Sequence, residues 1–144
     1  MRVPQLIILF LSIFITTPIM GQTQLNLNTE ASSEFQAADA EMNRVYKEIL
    51  LLYKDNAQFI MNLRSAQRAW LKFRDAELEA HYPATPHENR HHLYGSVFPM
   101  CLANSKAALT RLRIEQLRVW LKGVEEGEVC AGSVKFDRDL GKGK

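Results

Sequence analysis

The chain has 144 residues, 47% hydrophobic and 24% charged, a composition that excludes a disordered tail and a fibrous repeat. Eighteen Lys and Arg against sixteen Asp and Glu leave +2, too even a balance for a nucleic-acid binder acting through bulk charge. Two cysteines are too few to staple a small secreted scaffold, and the length suits a single domain.

Met1-Arg2 brings one positive charge, Leu6 to Ile15 is an apolar run broken only by Ser12, and Thr16-Thr17-Pro18 ends that run before the small Gly21. This order predicts a secretory signal peptide over residues 1–21, with cleavage after Gly21. Such a run makes about 15 Å of helix against a hydrocarbon core of about 30 Å, so a membrane anchor is not expected. No cysteine follows the cleavage region, which argues against a lipid anchor, and no later segment is apolar enough to span a membrane. The expectation is an exported chain, periplasmic or secreted, that starts at Gln22.

Thr29 is placed to cap a first helix, with Glu30 and Glu34 at its positive end. Phe35, Ala38, Met42, Val45, Ile49 and Leu52 then recur at steps of three and four, which carries that helix to about Lys54. Asp55-Asn56 interrupts the pattern, and Gln58 is placed as the return half of a capping box. A second helix carries Phe59, Ile60, Leu63, Ala66, Trp70, Phe73 and Leu78. From His81 to His92, two prolines and all four histidines without a hydrophobic period predict a long loop, a kind of segment that is often functional. Ser96 is placed to cap a third helix that tolerates Pro99 in its first turn and buries Leu102, Leu109, Leu112, Leu117, Trp120 and Leu121. Gly123 is its stop, and the acidic, then Gly- and Lys-rich stretch from Val124 to Lys144 predicts a frayed tail. The fold expected is all-α: an antiparallel bundle of three long helices over 22–123, with one long loop and a flexible tail over 124–144.

At 100° per residue, several polar side chains fall on the apolar faces. Gln67, Arg74 and Glu77 share a face with Leu63 and Trp70, Thr110 and Arg113 lie beside Leu109 and Leu117, and Asp39 and Tyr46 flank the stripe of Phe35 and Met42. Core-facing arginines are costly unless carboxylates meet them, and Asp39 and Glu77 are the available partners. This set reads either as an interhelical network that fixes register or as a polar surface opened to a partner at one end of the bundle. Arg74 and Glu77 also have the spacing of an ordinary helix-surface pair.

The same residues carry a family pattern. Ala38-Asp39-x-x-Met42-Asn43-x-x-Tyr46 is followed by Gln67-x-x-Trp70-x-x-Phe73-Arg74-Asp75-Ala76-Glu77, then Gly95-Ser96, Cys101 and Thr110-x-x-Arg113-x-x-x-Leu117. Together they resemble the LprI-like lysozyme-inhibitor family, small exported helical proteins of bacteria. The resemblance runs from Ala38 to Leu117, and the Gln-x-x-Trp-x-x-Phe-Arg-Asp block is its most specific part. It implies a periplasmic or secreted binding protein with lysozyme inhibition as the family's named activity. It also implies a cysteine after the Arg-Asp-Ala-Glu run as the bridge partner of Cys101, and Leu78 stands there instead. Cys130 is a poor substitute: the helix from Cys101 to Gly123 spans about 33 Å, and the chain that follows returns at most about 25 Å.

Little in the chain points to catalysis. His87-x-x-x-His91-His92, with His81 nearby, lacks a Cys or Asp neighbour at ligand spacing, so neither a metal nor another cofactor is expected, and a metal-dependent hydrolase lacks its ligand set. Glu77 and Glu88 have no second catalytic group placed by sequence, Cys101 reads as a packed residue, and no phosphate loop, zinc-protease or nucleophile-elbow motif is present. Two non-enzymatic readings remain. One is a lysozyme inhibitor whose loop, with Tyr82, His87, His91, His92 and Tyr94, occludes a cleft built on two carboxyl groups. The other is a structural or interaction module of the cell envelope that binds another protein or peptidoglycan. Near-neutral charge offers the first no long-range steering, since only Glu125, Glu126 and Glu128 form a local acidic cluster.

Overall fold

Thr23 starts the first helix, two turns earlier than the sequence suggests, by accepting the Asn26 amide at 3.2 Å in a computed structural model that describes residues 23–141. The expected signal peptide and its cleavage site lie outside the described residues. Thr29, read as the cap, is inside the helix with its hydroxyl on the Leu25 carbonyl. Once Thr23 supplies a cap, extending an existing helix through Leu25 and Leu27 costs less than starting one at Thr29. The described residues form α1 (Gln24–Leu52), α2 (Ala57–His81), a short α3 (Arg90–Tyr94), α4 (Phe98–Lys122) and a 3₁₀ turn (Asp137–Leu140). The fold is all-helical, with the short α3 as a fourth helix beside three long ones among the described residues.

Asn56 caps α2 through the Phe59 amide, as the break at Asp55-Asn56 suggests, but Gln58 bonds forward to Asn62 and closes no capping box. Ser96 is not the cap of α4; Val97 takes that position without a side-chain bond, and the Ser96 carbonyl accepts from Asn28. Gly123 ends α4 at φ 77° and ψ −177°, a backbone region that only glycine occupies readily.

The most extensive helix contact joins α1 to α4. Asn28 meets Ser96, Glu34 meets Arg111, and Glu41 meets Arg118 at 2.8 Å, so the two helices run in the same direction. Ala31, Phe35, Ala38, Met42, Val45 and Ile49 on α1 face the region of Ala107, Thr110, Ile114 and Leu117 on α4, both rows stepping by three and four as in a coiled-coil seam. Alanines in the upper half of each row let the backbones approach, and Met42, Val45, Ile49 and Leu117 fill the lower half. Against this pair α2 runs in the opposite sense, with Phe59 on Tyr53 at one end and Arg74 near Asp39 further along. The row Phe59, Leu63, Gln67, Trp70, Arg74 and Leu78 of α2 turns inward, with Ile60 and Leu71 partly buried beside it, whereas Phe73 is 53% exposed. Leu112 is likewise outside, 64% exposed, because it lies about 200° around α4 from both Thr110 and Ile114.

The tail does not fray within the described residues. Val124 and Phe136 pair as an isolated bridge, and the Lys135 amide donates to the Tyr53 hydroxyl at 3.0 Å. That hydroxyl in turn donates to the Trp120 carbonyl at 3.2 Å, so one buried phenol ties the tail to the α1–α2 turn and the end of α4. Burial pushes the Tyr53 phenol above its ordinary value, with the Lys135 amide acting in the other direction. The stability it contributes is therefore complete below about pH 10 and is lost as pH rises through the raised value. Tyr53→Phe is expected to cost about 1–2 kcal/mol at neutral pH and to weaken the alkaline loss, which urea melts at pH 7 and pH 10.5 would read.

Candidate functional site

Trp70 organises the polar face of α2. The guanidinium carbons of Arg74 and Arg113 lie 5.5 and 5.8 Å from its ring centroid, within cation–π range. Arg74 also lies 5.9 Å from the Phe35 ring, which receives Lys106 at 5.5 Å as well. Its carboxylate partners are Asp75 at 3.0 Å and, more distantly, Asp39 at 3.8 Å; exposed Glu77, also expected to meet it, takes no part. Asn43 donates to Asp39 at 3.0 Å and so holds that carboxylate in place.

Arg113 is solved differently. Among the described residues no carboxylate meets it: Gln67 accepts from its Nε at 3.0 Å and Gln116 from its Nη1 at 3.1 Å. Burial pushes its guanidinium below the ordinary value. Gln67 itself is buried and donates to the Met42 sulfur at 3.4 Å, which links all three long helices through one amide. Thr110 is fully buried and its hydroxyl has no partner among the described residues, while Tyr46 packs against the apolar core. Asp39, Asn43, Gln67, Trp70, Arg74 and Arg113 are thus brought together between the long helices, while Asp75 and Glu77 are exposed.

The expected loop is shorter and more structured than the sequence suggests. His81 completes α2, residues 82–89 are irregular, and His91 and His92 stand on α3, which Asn89 caps by accepting the His91 amide at 2.8 Å. An Asn three residues after a proline, with Gly95 at the right distance to stop a turn, is the signal that would have revealed α3. Two of the five proposed loop contacts are braces: Tyr82 shares a hydrogen bond with Ser105 at 3.1 Å, and Tyr94 donates to the Pro83 carbonyl at 2.8 Å. Both rings pack on Phe98. Arg90, missed in the sequence, donates to the Tyr82 carbonyl at 2.9 Å and pairs with Glu79. Glu88 accepts the Thr85 amide at 2.8 Å, which holds its carboxyl below the usual range. His87, His91 and His92 are left exposed, His91 with its ring on Phe98.

A cleft of about 380 Å³ joins the two regions, with Arg74, Asp75 and Leu78 on one wall and Tyr82, Arg90 and Phe98 on the other. Leu78, where the family pattern calls for a cysteine, is 6% exposed and shares this cleft with Leu102, on the turn of α4 that carries Cys101. Cys101 and Cys130 are both free, Cys101 in the first turn of α4 and Cys130 beyond its last turn. Among the described residues no three His, Cys, Asp or Glu side chains converge as a metal site, and no helix is long and apolar enough to cross a membrane.

The family model for lysozyme inhibitor LprI matches residues 17–117. A protein of Rhizobium meliloti, itself described as uncharacterized, is 30% identical over 115 residues that cover 72% of this chain and 77% of its own length. No solved structure matches. The matched span takes in the Trp70 network, the cleft and the braced segment together, and the chain belongs to the LprI lysozyme inhibitor family.

Proposed function

We propose that the protein is an exported, non-enzymatic lysozyme inhibitor, released from its signal peptide after Gly21, that occludes the enzyme's cleft with segment 82–94. In this reading the three long helices form one antiparallel bundle, and its role is to hold that segment still. The observation that carries the proposal is the bracing of the segment on both sides by Tyr82, Tyr94 and Arg90, which leaves His87, His91 and His92 exposed on a fixed frame. A segment ordered before it binds loses less conformational freedom on docking. Imidazoles suit the target, because a glycosidase cleft presents one carboxyl group as acid and a second as carboxylate, and both accept hydrogen bonds from a ring N–H. Family membership supplies the enzyme class.

Lysozyme hydrolysis of cell walls, measured against titrated protein, tests this directly. Replacing His87, His91 and His92 together with alanine is expected to weaken inhibition at least tenfold. Since His91 rests on Phe98, a His87/His92 double variant separates contact from folding; it should lose most of the inhibition with an unchanged melting temperature. Full inhibition by the double and triple variants would overturn the loop's role, and no inhibition by the unaltered protein would overturn the lysozyme reading.

A further inference from the structure

The geometry points to a second binding site, at the opposite end of α2 from the histidine segment, for a sugar ring that bears a carboxylate. A cleft of about 390 Å³ opens between the start of α2 and the last turns of α4. That is the size of a small-molecule site, and its make-up follows the usual plan of an apolar floor with a few placed polar groups. Phe59 and Trp120 supply the floor, with ring centroids 4.8 Å apart. Asn56, Gln58 and Asn62 supply amides along one side, and Arg113 is the single charged residue in the lining.

The charge is what sets this cleft apart. In the cleft beside Arg74, the arginines Arg74 and Arg90 are already matched by Asp75 and Glu79. Here no acid lines the wall, and among the described residues Arg113 hydrogen-bonds only to the amide oxygens of Gln67 and Gln116, beside its contact with the Trp70 ring. Its Nη2 has no partner among the described residues, so part of the planar fork remains available for a carboxylate. Asn56 and Asn62 use their oxygens locally, on the Phe59 amide and on Gln58. What they leave over is N–H donors. An acceptor-rich ligand with one negative charge and an apolar ring face fits such a wall. A pyranose carrying an acetamido group and a carboxylate has all three features. The C–H face would lie on Trp120 and Phe59, the acetamido oxygen would meet Asn56 or Asn62, and the carboxylate would meet Arg113. This site is independent of lysozyme inhibition and does not use the histidine segment.

Calorimetric titration of the purified protein with three probes tests it: N-acetylmuramic acid, N-acetylglucosamine, which lacks the carboxylate, and lactate, which lacks the ring. N-acetylmuramic acid is expected to bind at least tenfold more tightly than either of the others. Asn62 is exposed, so Asn62→Asp should leave the melting temperature unchanged while its added negative charge weakens binding of the acid sugar at least tenfold. Arg113→Gln should abolish the preference for the acid sugar, and Asn62→Asp keeps the proposal testable if loss of packing on Trp70 unfolds that variant. Equal binding of the two sugars, equal binding of lactate, no binding at millimolar concentration, or an Asn62→Asp variant of unchanged affinity would each overturn the assignment.

Discussion

Replacing Trp70 with alanine is expected to cost about 3 kcal/mol, the lower end for removal of a large aromatic ring because Trp70 is only partly buried. The loss has two sources. One is the indole's contact with the core cluster. The other is the exposed flank it leaves on Arg74 and Arg113, whose guanidiniums lie 5.5 and 5.8 Å from its ring. Phe73 in the same family block provides the control: 53% exposed, it should tolerate alanine within about 0.5 kcal/mol. Urea midpoints of the two variants decide the matter, and equal shifts would mean that the network does not rest on Trp70. Arg74→Ala should cost less than an interior ion pair would suggest, because its partners Asp39 and Asp75 have 39% and 61% exposed side chains and can be hydrated once alone.

Gly123→Ala is expected to be nearly as damaging, at about 2–3 kcal/mol, and for a different reason. At φ 77° and ψ −177° an alanine is strained, and its Cβ would lie 2.6 Å from Asp137 Oδ1, 2.8 Å from Leu140 Cδ1 and 3.0 Å from the Lys135 carbonyl. Two of those atoms are side chain, but the carbonyl belongs to the bridge that seats the tail, so relief requires the tail to lift. Gly127→Ala separates the two causes, since Gly127 has φ 96° and nothing within 4 Å of an added Cβ. It should show the strain alone, about 1 kcal/mol. Limited trypsin digestion should cut after Lys135 rapidly in Gly123→Ala and slowly in Gly127→Ala. Equal cutting in the two would place the tail's anchor elsewhere.

The helices are legible in the sequence because their evidence is local. A three- and four-step apolar row, an Asn before α2 and a Gly after α4 each report on a few neighbouring residues, and each is found where the pattern puts it. What failed depends on contacts made far along the chain. Nothing near residue 135 says that its amide will meet Tyr53, so the tail reads as frayed although it is seated. The periodicity of α2 and α4 cannot reveal that their outer faces stay unpaired, which is why Phe73 and Leu112 read as core. The polar network was visible as a set of misplaced side chains, but its pairing was not. Arg74 takes Asp39 and Asp75 rather than Glu77, and Arg113 takes amides and an aromatic ring where a carboxylate was expected. In the histidine segment, composition showed the exposed imidazoles and hid the braces, because tyrosine and arginine serve equally well in either role.

The parallel seam between α1 and α4 has a consequence for the order in which the molecule can assemble. Ion pairs such as Glu34–Arg111 and Glu41–Arg118 close across 77 residues of chain, and Ala31, Ala38 and Ala107 in the same seam are buried. A ribosome that has released α1 and α2 has made a hairpin whose widest apolar stripe still waits for Ala107, Thr110, Ile114 and Leu117. Distant pairings of this kind slow folding, because a large loop must be closed before any contact rewards it. The seam between α1 and α4 is therefore expected to close last, once the final long helix is available to it.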